Sequence, residues 1–165
     1  MDCIELEEAI GADLTIMIFT EGTILKPRSG LQLYRHKNYV PIGDCVEIIK
    51  GWREQGADIV YCTSLKGEKT RDIAALLKQF GFTGSKLFSR SRGEKYRDLV
   101  EKIRPEVLIE DNCRSIGGSW QMCITKVDPE IKKRIISVVV DEFMGIDHLP
   151  RNLSNLIVKN DLTAL

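Results

Sequence analysis

The stretch Leu14-Thr15-Ile16-Met17-Ile18-Phe19-Thr20-Glu21-Gly22-Thr23 decides how the chain is read. An apolar, β-branched-rich run ends at Glu21-Gly22, which is the pattern of a buried strand followed by a tight turn. Outward from it the pattern repeats. Ile42, Val46, Ile49 and Trp52 recur at helical spacing, with Gly56 where a helix C-cap belongs. Ile59 to Thr63 reads as a second strand, and Ile73, Leu76, Leu77 and Phe80 as a helical face stopped by Gly81. Lys86-Leu87-Phe88 is a short third strand, and Tyr96, Leu99, Val100 and Ile103 mark a third helix broken by Pro105. Val107-Leu108-Ile109 is a fourth strand and Met122-Cys123-Ile124 a fifth; Asp128-Pro129 suits a helix start, and Ile136 to Val140 is extended. The polar, basic segment from Lys26 to Tyr39 reads as an excursion loop. Strands apolar on both faces, alternating with helices, predict an α/β protein with a central parallel sheet.

A chain of 165 residues is read as one domain, 1–165, large enough to bury roughly 70% of the surface its unfolded form exposes. Lys plus Arg total 24 and Asp plus Glu total 24, so no net charge draws the protein to nucleic acid or an anionic membrane. Its apolar runs fall well short of the roughly 20 residues of a membrane span. Asp2, Glu5, Glu7 and Glu8 make the start acidic, unlike a signal peptide, so a cytoplasmic location is expected. Five cysteines without a C-x-x-C pair argue against a disulfide framework or a zinc knuckle, and His36 and His148 are too few for a histidine cage.

In open parallel sheets ligands bind beyond the carboxyl ends of the strands. Thr20, Glu21, Gly22 and Thr23 follow the first strand, Thr63 and Ser64 the second, and Glu110 and Asp111 the fourth, while Lys95 opens the third helix. Hydroxyl, ammonium and backbone N–H groups can hold phosphate oxygens. Carboxylates on the same rim can hold Mg²⁺, which prefers oxygen ligands. A phosphate-plus-magnesium site is the chemical expectation.

These four segments, Leu14–Leu25, Val60–Ser64, Gly93–Tyr96 and Val107–Asn112, resemble the four ordered motifs of the haloacid dehalogenase superfamily. The resemblance spans Leu14 to Asn112, about 60% of the chain, and implies a Rossmann-like three-layer sandwich with a minimal cap and a C-terminal extension from about residue 126 to 165 packed on it. Most members are Mg²⁺-dependent phosphohydrolases. The family's first motif is D-x-D-G-T, its first Asp the nucleophile and its second the general acid/base. Gly22 and Thr23 match, Glu21 replaces the second Asp, and Phe19 stands in the nucleophile's place. The resemblance implies catalytic roles for Glu21, Thr63 and Lys95 and phosphate contacts from Gly22, Thr63, Ser64 and Lys95. It implies metal ligation by the Glu21 backbone carbonyl, Glu110 and Asp111. A benzyl side chain cannot attack phosphorus or bind Mg²⁺, and losing a nucleophile can cost on the order of 10⁶ in turnover.

Three functions follow as alternatives. The first is a protein with a degraded nucleophile motif that binds a phosphorylated small molecule or macromolecule, with Mg²⁺, and turns over little or none. The second is a Mg²⁺-dependent phosphatase using an unrecognised nucleophile or a water activated by Glu21. The third is an interaction module on an inactive scaffold. Capless members of the superfamily tend to take large substrates or to oligomerise, so a macromolecular partner or a homo-oligomer is an expectation here, whereas a membrane or nucleic-acid partner is not. Lys86, Arg90, Arg92, Lys95 and Arg97 against Glu94 make residues 86–97 basic, read as a solvated loop rather than a polyanion track. Cys62 reads as an inert strand cysteine.

Overall fold

Apolar, β-branched segments of four to six residues, too short for helices of their own, build the centre of the molecule. In the computed structural model, which describes residues 1–9 and 11–158, β1 (Asp2–Glu5) precedes β2 (Leu14–Phe19). A hairpin of β3 (Leu25–Pro27) and β4 (Tyr39–Pro41) leads into α1 (Cys45–Glu54). Then follow β5 (Ala57–Cys62), α2 (Lys69–Gln79), β6 (Lys86–Ser89), α3 (Tyr96–Ile103), β7 (Val107–Asp111), α4 (Pro129–Lys132), β8 (Ile136–Val140) and α5 (Leu153–Val158).

Six strands form one sheet in the order β1-β6-β5-β2-β7-β8. Every pairing is parallel except that of β1 with β6. β2 lies at the centre, with Leu14 to Phe19 registered against Ala57 to Cys62. This is an α/β, Rossmann-like layout, and helices cover both faces as parallel sheets require.

The two-residue period of a strand sorts the side chains. Ile16, Ile18, Ile59, Tyr61, Val107 and Ile109 point to one core, where they meet Ile48, Ile49 and Trp52 of α1 and Ile73 and Leu77 of α2. Met17, Val60, Cys62 and Leu108 point to the other, against Leu99 and Val100 of α3 and the segment holding Cys123, Ile124 and Val127. The glycines expected to stop α1 and α2 do so with positive φ, +104° at Gly56 and +76° at Gly81.

Three local readings are corrected. Met122-Cys123-Ile124 is not a strand: Ile124–Lys126 is a 3₁₀ turn, and the fifth parallel strand is β8. Asp2–Glu5, read only as an acidic start, is an edge strand, where charged side chains discourage further pairing. The segment from Lys26 to Tyr39 is less a plain loop than the body of the β3–β4 hairpin, with two 3₁₀ turns inside it. Leu153 and Leu156 of α5 pack into the first core, while the last seven residues of the expected C-terminal extension lie outside the described ones. No helix among the described residues is long and apolar enough to cross a membrane.

Trp52 ties this C-terminal packing to α1. Its side chain is fully buried, and its indole N–H donates to the Pro150 carbonyl at 2.9 Å. Trp52→Ala should lower stability by about 3–5 kcal/mol in urea denaturation, because it leaves a large cavity and an unpaired carbonyl.

Candidate functional site

The carboxyl ends of the central strands are laced together one residue beyond the sheet. The Thr20 N–H donates to the Cys62 carbonyl (2.9 Å), Thr63 N–H to the Phe88 carbonyl (3.0 Å), and Asn112 N–H to the Val140 carbonyl (2.9 Å). These bonds bring the residues after β2, β5 and β7 onto one rim.

On that rim the Glu21 carboxylate is held by the hydroxyls expected to hold phosphate. Thr63 Oγ1 donates to Glu21 Oε1 at 2.6 Å and Ser64 Oγ to the same oxygen at 3.1 Å. Ser64 N–H reaches Oε2 at 3.3 Å, and Thr20 Oγ1 bonds Oε2 from the other side. Thr20 and Thr63 are fully buried. Three hydroxyls and a backbone N–H thus form a cradle around one oxyanion, and the anion in it belongs to the protein. Each is a hydrogen bond to an ionisable acceptor, the stronger kind.

Gly22 plays no part in that cradle. Its N–H donates to the Leu25 carbonyl and its carbonyl accepts from Phe143, so it closes the turn. Its φ of +86° suits glycine, and a Cβ there would come within 2.7 Å of Asp111 Oδ2. Asp111 closes over this turn, accepting from Cys113 N–H at 2.7 Å and from Thr23 Oγ1 at 3.4 Å. Burial raises its pKa, and nearby Glu142 adds to the rise against the pull of the Cys113 N–H.

Glu110 and Asp111 do not converge. Neighbours on a strand face opposite sides, and Glu110 points into the second core, where it is 3% exposed. Its oxygens accept from Cys123 N–H (2.6 Å) and Ile124 N–H (2.9 Å), which is what shapes the turn expected as a strand. The other rim acids are committed: Asp141 accepts from Asn112, and Glu142 accepts from the N–H and hydroxyl of Ser115. Among the described residues no three His, Cys, Asp or Glu side chains are placed to hold a metal ion. Asp111 and the Glu21 carbonyl remain from the expected Mg²⁺ set, one carboxylate with one carbonyl, which would leave most of an octahedral shell to water or a ligand.

Phe19 turns to the second core and meets Tyr96 edge-on, their ring centroids 5.2 Å apart. The Arg90 guanidinium carbon lies 3.9 Å from the Tyr96 ring centroid. Sequence reasoning placed Arg90 in the basic segment 86–97, read as a solvated loop, and gave it no role in the site. Lys95 is the N-cap residue of α3, where its backbone N–H donates to Asp98 Oδ2 at 2.8 Å; the residue is exposed and its ammonium makes no ion pair among the described residues. No thiol on this rim is poised to attack. Burial holds Cys62 well above the usual thiol range, and burial followed by Asp111 pushes Cys113 up to about 12. Burial also raises the Tyr96 hydroxyl, and both it and Cys62 feel Glu21 and Arg90 pulling in opposite directions.

No family model matches the chain. In the solved structures it is similar to a chain of the Pnkp1/Rnl/Hen1 RNA repair complex, at 11% identity with a TM-score of 0.57 over 84% of this chain and 46% of that one. That likeness shows a shared fold. D,D-heptose 1,7-bisphosphate phosphatase from Burkholderia thailandensis aligns at 13% identity with a TM-score of 0.44, over 80% of this chain and 94% of that one. In sequence, 72 residues are 36% identical to DNA polymerase IV of Vibrio parahaemolyticus, and 74 are 35% identical to DNA polymerase IV of Salmonella arizonae. Those matches cover 41% and 42% of this chain, which spans about one-fifth of the length of those curated relatives. Fold and site together define an α/β protein with an oxyanion cradle at the carboxyl edge of its sheet.

Glu110 gives this site a measurable pH signature. Burial, reinforced by Asp111, pushes its pKa up to about 7 from 4.5, against the two N–H donors. A carboxyl whose folded pKa is raised contributes stability that is fully present below about pH 4 and lost as pH rises through 7, here about 3 kcal/mol. Glu110→Gln should flatten that fall in urea midpoints between pH 4.5 and 8. It should also lower stability at every pH, since an amide oxygen serves one of the two N–H groups and the amide nitrogen none.

Proposed function

We propose that this chain is a catalytically silent, phosphohydrolase-type scaffold that binds a phosphate monoester, on a small molecule or a macromolecule, by displacing the Glu21 carboxylate from its cradle. The observation that carries this reading is the set of four donors around Glu21. Donors that converge on two carboxylate oxygens also suit the oxygens of a phosphoryl group. Turnover is a separate matter. Phe19 supplies no nucleophile, the rim thiols are held protonated, and Glu21 is clasped as an acceptor rather than set against a water. A general base must reach the proton it removes.

Glu21 is an internal competitor for the cradle, so its removal should expose the binding chemistry. Glu21→Ala is expected to bind inorganic phosphate at least ~10-fold more tightly than wild type in calorimetric titration, since displacing even one charge-assisted hydrogen bond costs that much. Thr63→Ala in that background should abolish the gain. A panel of phosphorylated metabolites with Mg²⁺ should give no turnover by wild type or by Asp111→Ala. Mg²⁺-dependent turnover by wild type that disappears in Asp111→Ala would establish a working phosphatase instead. Phosphate affinity that is unchanged in Glu21→Ala would remove the binding reading.

A further inference from the structure

Phosphate brings up to two negative charges to the rim, and a positive charge set against them would add to what the neutral donors of the cradle supply. Of the expected Mg²⁺ ligands Asp111 and the Glu21 carbonyl are left on the rim: Glu110 faces the second core, Phe19 offers no oxygen, and the neighbouring Asp141 and Glu142 are engaged by Asn112 and Ser115. Lys95 and Arg90 both make no ion pair among the described residues, and Arg90 is the one of the two held against an aromatic ring. Arg90 follows β6, whose Phe88 carbonyl accepts from Thr63 N–H, so it sits one strand from the cradle. Its guanidinium is held on the Tyr96 ring, and Tyr96 is braced in turn by Phe19.

Arg90 is also unspent. It forms no ion pair among the described residues, and its Nε is buried without a hydrogen-bond partner. A buried guanidinium N–H with no acceptor carries a free-energy cost that an arriving anion would relieve. Its planar fork matches two phosphate oxygens at once, and an aromatic face restricts the long side chain before the ligand arrives. Glu21 lies nearby but outside ion-pairing distance, so the cation and the clasped carboxylate flank the rim without neutralising each other.

We infer that Arg90, held over Tyr96 beside the Thr63–Ser64 cradle, takes the place of a divalent cation, so that this site binds phosphate monoesters without metal. The inference rests on the cradle reading proposed above. Phe19 then has a role in binding: it occupies the nucleophile's place with an apolar brace for the ring that carries the cation.

The test is calorimetric titration of inorganic phosphate, then phenyl phosphate, into Glu21→Ala, in EDTA and in Mg²⁺. Affinity should be the same in both buffers to within about twofold. Adding Arg90→Ala should weaken binding by ~10- to 100-fold, the worth of a charge-assisted contact. Arg90→Gln, which keeps the aliphatic stem over the ring, should lose as much, whereas Arg90→Lys should retain part of the affinity as a point charge. Arg92→Ala removes an equal charge two residues away and should change little. Circular dichroism melts of each variant separate lost binding from lost fold. Binding that requires Mg²⁺, or that survives both Arg90→Ala and Arg90→Gln, overturns the role of Arg90 and leaves the cradle reading standing. No phosphate binding by Glu21→Ala in either buffer overturns both.

Discussion

The alternation of side chains at the ends of β2, β5 and β7 is the constraint on which the rest of the rim depends. Each strand delivers consecutive residues to opposite faces, so adjacent motif residues are separated by the thickness of the sheet. Phe19 goes with Met17 to the second core, where Tyr96 receives it. Glu110 goes with Leu108 to the same side and organises the turn at Cys123 and Ile124. Thr63 and Asp111 go the other way, toward the turn at Gly22.

Glu21 exploits what is left. Its two methylenes bring its carboxylate to Thr63 and Ser64. The result satisfies donors that would otherwise need water or a ligand. Thr20 and Thr63 are fully buried, and an unsatisfied hydroxyl there would cost about 1–3 kcal/mol. A scaffold without a bound anion is therefore stabilised by its own carboxylate, and any phosphate must compete with that arrangement. Such competition favours ligands that bring further contacts from beyond the cradle.

The parallel strands were legible because apolar, β-branched runs bounded by turn residues have few other solutions, and Gly56 and Gly81 marked the helix ends correctly. Met122-Cys123-Ile124 was misread because an apolar triplet has no period of its own. Its fate is set by a carboxylate thirteen residues earlier in the chain. The edge strand Asp2–Glu5 was hidden by the charges that suit an edge. For the site, the opposite facing of Glu110 and Asp111 was present in the sequence, since β7 was recognised and its period is two; the family pattern overshadowed it. Arg90 was legible only as one charge of the basic segment 86–97, because a cation on an aromatic ring is a tertiary contact between the end of one strand and the start of a helix.

Phe19 and Glu21 both shape the charge of the rim. Phe19 presents an apolar ring to Tyr96, which in turn carries the Arg90 guanidinium. An apolar residue there leaves Arg90 without a partner and lets the ring hold it. Glu21 is the carboxylate that remains on the open rim without a backbone partner of its own turn, and it is neutralised in effect by three hydroxyls and an N–H rather than by a cation. An apolar Phe19, an inward Glu110 and a clasped Glu21 all act in one direction: they lower the free negative charge on the rim.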